Sequence, residues 1–208
     1  KSLLIPSNDK YLRWLLLHYD RLSSKHIIPY NNLSSVEAII DKLQLILIAE
    51  SLNIKVPEYW LITEQNQIYE FKKDIDFPCI VKPTTSISFQ NNQLCKLQVD
   101  KADTFEDLEM LVNLKLPQSN LLIQNYLIGS GYAANIAASG GKISHYFQYR
   151  RIHEPGFGGA SSLRESLKPQ KDVLHQCQAI INAFDYSGIG MIEFRMSKNE
   201  LYLMEFNA

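Results

Sequence analysis

Cysteine is scarce in this sequence: there are three, Cys79, Cys95 and Cys177, far apart and without a CxxC spacing. An odd, scattered set excludes a disulfide scaffold and a cysteine zinc site, and points to a reducing, cytoplasmic setting. Net charge is equally sparse, −1 over 208 residues, which leaves no electrostatic case for nucleic acid or an anionic membrane as a partner. No apolar run reaches the roughly 20 residues of a spanning helix, and no secretory leader is expected. The patterns GxGxxG and GxxxxGK followed by Ser or Thr are both missing, so neither a Rossmann fingerprint nor a Walker P-loop is present. His145, His153 and His175 have no metal-ligand spacing and read as structural. Internal repeats and low-complexity tracts are absent. What remains is an ordinary globular composition, 46% hydrophobic and 21% charged, enough to bury a core in one domain or two small lobes. The chain opens at Lys1 without a methionine and stops inside a strand, as expected of a piece of something longer.

Taken in order, Ser2 to Pro6 predicts a short strand, and the apolar spacing of Asp9 to Leu22 predicts an amphipathic helix capped by Asn8 or Asp9. Ile27 to Leu33 reads as an extended connector. Ser34 to Glu37 has the order of a helix start, and Asp41 to Leu52 carries a strong apolar stripe. Strands are expected at Trp60–Thr63, Phe77–Pro83, Leu94–Val99 and Asn120–Leu127, with a short helix from Ile68 and another over Thr104–Val112. Thr84 to Asn92 is rich in hydroxyls and amides without an apolar period, and predicts a flexible loop. Tyr132–Ser139 and Ile143–Arg151 are strands joined by Gly140-Gly141, a strong hairpin signal. A glycine-rich loop over Glu154 to Ser162 and a helix over Asp172 to Phe184 follow. Several strand pairs are antiparallel hairpins, so the fold class is α+β with two sheets.

The last stretch holds the densest chemistry. Gly188 to Arg195 and Leu201 to Asn207 are two β-prone runs around a polar break. A three-residue loop at Lys198-Asn199-Glu200 would set Ser197 against Leu201 and Glu193 against Glu205. Asn207, two residues further, falls on the same face. Opposed like charges are destabilising, whereas two carboxylates and an amide oxygen are the hard ligands that Mg²⁺ prefers. A solvated hairpin face is the alternative. Lys82 ends an apolar strand, where an ammonium is costly unless it meets an anion such as a phosphate or snorkels to water. Arg150 and Arg151 end another strand; alternation turns one of them inward, which suits an anion site as well as a surface pair. Lys42 opens a helix and by itself reads as a solvated residue.

The order of these elements resembles the ATP-grasp superfamily, in particular its carboxylate–amine ligase and carbamoyl-phosphate synthase-like branch. The resemblance covers about Asp41 to Asn207. It rests on Asp41-Lys42 opening a helix that ends in Ile54-Lys55-Val56-Pro57, on Phe77-Pro78-Cys79-Ile80-Val81-Lys82-Pro83, on Ile123-Gln124-Asn125-Tyr126-Leu127, and on Glu193 ahead of Glu205-Phe206-Asn207. It implies two α+β lobes gripping ATP, with residues 1–33 as the tail of a preceding α/β domain, 34–125 as linker helix and first lobe, and 126–208 as an incomplete second lobe. Lys42 and Lys82 would match the lysines that neutralise the nucleotide's phosphates. Gln124, Asn125, Tyr126 and Leu127 would match the hinge that meets adenine. Glu193, Glu205 and Asn207 would match the ligands of Mg²⁺, or of Mn²⁺ in its place. Arg150 and Arg151, with the loop Gly156 to Ser162, look like the substrate side. The implied activity is an ADP-forming ligase that activates a small-molecule carboxylate as an acyl phosphate for attack by an amine. Carbamoyl-phosphate synthesis, a non-catalytic ATP-binding module and a homodimeric state stay open beside it. Gly131 departs from the family pattern, since many members place a glutamate there for the ribose hydroxyls.

Overall fold

The computed structural model describes residues 1–90, 93–154 and 161–208. In place of a strand, Ser2 to Pro6 forms a single parallel bridge, Leu3 with Ile27; Pro6 has no N–H with which to extend it. Helix α1 (Asp9–Leu17) starts where the Asn8 side chain accepts the Tyr11 N–H at 3.1 Å. The single helix expected to Leu22 is broken at His18, and α2 (Tyr19–Ser23) follows without a side-chain cap. Helix α3 (Leu33–Ile40) is capped by Asn32 on Ser35 N at 3.1 Å, two residues ahead of the start expected at Ser34. Asp41 caps α4 (Lys42–Ser51) through Gln44 N at 2.9 Å.

Residues Pro57–Ile128 form one of two compact units. Its elements are β1 (Tyr59–Ile62), α5 (Gln67–Glu70), β2 (Cys79–Pro83), β3 (Ile87–Gln90), β4 (Gln93–Lys96), β5 (Asp100–Ala102), α6 (Phe105–Lys115) and β6 (Leu121–Asn125). The sheet runs β1-β6-β2-β5, antiparallel throughout. Helix α6 opens with a full capping box, Thr104 on Asp107 N and Asp107 back on Thr104 N. It packs Leu108 and Val112 on Val81, Leu121 and Ile123 of the sheet. The loop expected over Thr84 to Asn92 contains a strand instead: β3 pairs with β4, Ile87 opposite Lys96 and Ser88 opposite Cys95. Residues 91 and 92 of that stretch lie outside the described residues.

The other unit joins Lys1–Val56 to Gly129–Ala208. Its strands are β7 (Ser130–Ser139), β8 (Lys142–His153), β9 (Leu163–Leu167), β10 (Gly188–Ser197) and β11 (Glu200–Asn207), with α7 (Lys171–Ala183) before the closing hairpin. They form one antiparallel sheet in the order β11-β10-β7-β8-β9. Gly140 and Gly141 take φ of +53° and +71°, the conformation a tight β7–β8 turn needs. Along β10 and β11, Ile192, Phe194, Leu203 and Phe206 turn to a core shared with α1, α3, α4 and α7. Burying each contributes about 1.5–3 kcal/mol. The opposite sheet face carries Glu193, Arg195, Glu205 and Asn207 beside Ala133 and Tyr149. Strand β9, at the sheet edge, falls where no element was expected; residues 155–160 of the glycine-rich stretch before it lie outside the described residues. Among the described residues no helix is long and apolar enough to cross a membrane.

Candidate active site

The closing hairpin turns more tightly than expected. Lys198 and Asn199 take φ of +49° and +63°, so the turn has two central residues and Ser197 faces Glu200. Continued without interruption, that register would set Glu193 against Met204 and send Glu205 to the core face. A bulge prevents this: Phe194 pairs with Leu203 and Glu193 with Glu205, leaving Met204 as the extra residue. Glu193 and Glu205 are therefore opposed, as expected, by a different route. Asn207, opposite Met191, lies on the same face. Its Nδ2 donates to Glu193 Oε1 at 3.2 Å and to Glu205 Oε1 at 3.4 Å. The amide thus places positive hydrogens between two carboxylates, where a cation would serve better. A half-turn of that amide would offer Oδ1 and complete three hard oxygen donors. Among the described residues no group of three or more His, Cys, Asp or Glu is arranged for a metal, so this two-carboxylate and amide set is the donor chemistry at hand.

The same face continues across the sheet from Glu193 to Ala133 of β7 and Tyr149 of β8. Arg151, two residues past Tyr149, reaches back to Glu193, Nη2 to Oε1 at 2.6 Å. Its Nη1 lies 3.2 Å from Glu154 Oε1, and Glu154 Oε2 is 3.2 Å from Arg195 Nη2. Arg195 also donates to the Gly129 carbonyl at 2.8 Å. All four side chains are largely withdrawn from water: Arg151 is 9% exposed, Glu154 and Arg195 14%, Glu193 15%. Burial pulls the Arg151 guanidinium's pKa down, but Glu193 and Glu154 outweigh it and leave it above the ordinary value. Gly131 makes the room: a Cβ there would lie 2.4 Å from Glu154 Oε1 and 2.8 Å from Arg151 Cδ. The adjacent Arg150 points the other way and pairs with Glu165 at 2.5 Å on an exposed surface. Glu154 and Arg195 were not anticipated. Arg195 was within reach of alternation, two residues beyond Glu193 on one strand; Glu154 lies past the end of β8 and had no periodic signal.

Lys42 belongs to the same unit, at the first turn of α4 and 7% exposed. A cation there opposes the helix dipole, so helix stability alone does not account for it. In the other unit every residue of β2 is buried, Lys82 at 8% exposure included. Beside β2 in the sheet, β6 ends in Gln124 and Asn125. Asn125 is tied to Glu58, N to O and Nδ2 to Oε2, both 3.0 Å. Gln124 Oε1 and Asn125 Oδ1, both buried, accept no hydrogen bond from the described residues. As consecutive residues of one strand they project to opposite faces of the sheet. Tyr126 and Leu127, partly buried, follow in irregular chain before β7.

Comparison with known proteins matches residues 47–208 to the ATP-grasp domain. The chain is 21% identical over 167 residues to formate-dependent phosphoribosylglycinamide formyltransferase of Wolinella succinogenes, covering 76% of this chain and 41% of that protein. It is 24% identical over 136 residues to D-aspartate ligase of Enterococcus faecium, covering 62% of this chain and 32% of that one. It therefore spans less than half the length of either. Among solved structures, the D-alanine–D-alanine ligase of Bacillus anthracis complexed with ATP superposes with a TM-score of 0.68 at 18% identity, over 96% of this chain and 64% of that chain.

Proposed function

This chain belongs to the ATP-grasp domain family, and from that premise we propose that it is the nucleotide-binding part of an ADP-forming ligase joining a small carboxylate to an amine. The observation that carries the reading is the opposed pair Glu193 and Glu205 with the Asn207 amide touching both. In this reading those three side chains hold Mg²⁺, or Mn²⁺, with the Asn207 amide turned. Once bound, the cation draws charge from the transferring phosphoryl oxygens. Lys82 and Lys42 meet phosphates, each lysine being nearly buried in its own unit. Gln124, Asn125, Tyr126 and Leu127 form the hinge, with backbone groups near Asn125 and Leu127 meeting the adenine edge. Arg151, on the face of Glu193, steadies the anionic substrate group; Arg150, turned to Glu165, serves the surface rim.

The chemistry is an in-line displacement followed by acyl transfer. A carboxylate oxygen attacks the γ-phosphorus of ATP, the bond to the ADP oxygen breaks, and an acyl phosphate forms. The amine nitrogen then attacks the acyl carbon, phosphate leaves, and the amine proton passes to solvent. The protein's own part is positioning and charge compensation by lysine and arginine. Free thiols at Cys79, Cys95 and Cys177 fit a reducing, cytoplasmic setting. Residues 1–33 are the tail of a preceding domain in this reading.

Thermal melts of wild type and Glu205→Gln, with and without Mg-ATP, test it. Ligand at a hundredfold excess over Kd stabilises by about 2.7 kcal/mol. Without ligand the variant should melt at the wild-type temperature or slightly above, one of two opposed like charges having been removed. With ligand it should lose most of the wild-type rise. Equal rises in the two proteins would overturn the assignment.

A further inference from the structure

The bonds around Arg151 are unequal. Its contact with Glu193 is 2.6 Å, as short as a fully formed charge-assisted bond, while its contact with Glu154 is 3.2 Å and slack by comparison. Glu154 is nonetheless held in place from behind, by Arg195 at 3.2 Å, and Arg195 is itself fastened to the Gly129 carbonyl at 2.8 Å. Gly131 leaves the space into which the Glu154 carboxylate projects. A carboxylate so steadied, and so loosely used, has capacity to spare. The need for it arises at Glu193. If Glu193 is given over to a divalent cation, the guanidinium loses its short partner in a place too dry for water to replace it.

We propose that Glu154 is a positioning residue: the second seat of Arg151, to which the guanidinium shifts when Glu193 coordinates a divalent cation. Until then Arg151 is the resident counter-ion of Glu193. This rests on the reading of Glu193 as a metal ligand. The shift keeps Arg151 in the site, charged and oriented, instead of letting it compete with the metal. Arg151 and the cation then stand side by side for an anionic substrate group. Removing Glu154 therefore weakens metal binding through Arg151, because the arginine loses the carboxylate to which it would shift.

A double-mutant cycle on the full-length protein separates this from a simple field effect, with Mn²⁺ alone as the probe and free Mn²⁺ read by electron paramagnetic resonance. Glu154→Gln should weaken Mn²⁺ binding about fivefold or more in the wild-type background. In an Arg151→Gln background, where no arginine competes, the same substitution should change the affinity by less than about twofold. A carboxylate acting only by its charge would weaken binding equally in both backgrounds, and that additive result overturns the proposal. So does a Glu154→Gln single variant within about twofold of wild type. Far-UV circular dichroism checks that each variant is folded, and Arg151→Met gives a second background if Arg151→Gln is not. Glu193→Gln tells the two readings apart. Loss of Mn²⁺ binding with additive Glu154 effects defeats the second seat alone. Mn²⁺ binding that survives Glu193→Gln, or is absent from wild type, defeats the metal assignment and the proposal together.

Discussion

Arg150 and Arg151 are neighbours on β8 and live in different electrostatic surroundings. Arg150 forms its ion pair with Glu165 where both side chains are about half exposed, 46% and 51%, and such pairs contribute about 0–1 kcal/mol. Arg151 lies between Glu193 and Glu154, all three largely withdrawn from solvent. Removing it takes the short ion pair from Glu193 and leaves Glu154 with Arg195, and breaking a buried pair costs up to about 3–5 kcal/mol. Urea unfolding should therefore place Arg150→Ala within about 1 kcal/mol of wild type and Arg151→Ala several times lower. Similar losses in both would mean that the two arginines are equivalent. Alternation alone indicated that one of the pair turns inward, but not which. The choice depends on where the β8 pleat meets Glu193 two strands away, information that no local window contains. Lys82 was simpler to read, because a lysine closing the run Cys79-Ile80-Val81 has only its own strand to obey. Glu154 lay beyond any such rule: it is placed by Arg195 and by the missing side chain of Gly131, partners distant in sequence.

At the level of elements, the β10–β11 hairpin depends on one extra residue. Lys198 and Asn199 make a turn one residue shorter than expected, and Met204 restores the offset. Deleting Met204 while keeping the turn should give a regular ladder in which Leu203 still faces Phe194 and Glu205 still faces Glu193. The variant should therefore fold and keep the ligand-induced rise in melting temperature, even though a core strand has been shortened. Loss of that rise in a folded deletion variant would show that the bulge itself, and not the register it restores, shapes the site. Opposition of the two glutamates was thus readable from the sequence through a turn and a bulge whose offsets cancel. Helix α6 was readable for a simpler reason: Thr104 and Asp107 complete a capping box within one short stretch, three residues apart. Strand β3 was hidden by the hydroxyl and amide residues of Thr84 to Asn92, which carry no apolar period. Strand β9 was hidden by its place at the edge, where Arg164, Glu165 and Ser166 face water and alternation is lost.

Across the whole molecule each unit has its own core, and each core encloses a thiol: Cys177 in one, Cys79 in the other. Burial pushes Cys79 up to about 11 and Cys177 up to about 12; Tyr30, also buried, rises to about 12. Each of these groups ionises more readily in the unfolded chain. Stability is thus full below about pH 8.5, the ordinary thiol value, and declines as pH climbs toward 11 and 12. Urea midpoints should agree at about pH 7 and about pH 8 and fall by about pH 10, less steeply in Cys177→Ala; a flat profile across that range would contradict it. The chain leaves one core at Val56 and returns at Gly129. Between those points, Glu58 and Asn125 are hydrogen-bonded through their backbones, and Tyr59 lies opposite Gln124. The intervening segment thus begins and ends at the same place, like a paragraph inserted within a sentence. To the flanking strands, only the separation of its two ends matters. Insertions and losses between β1 and β6 can accumulate over generations without altering the spacing on which Glu193, Glu205 and Arg151 depend.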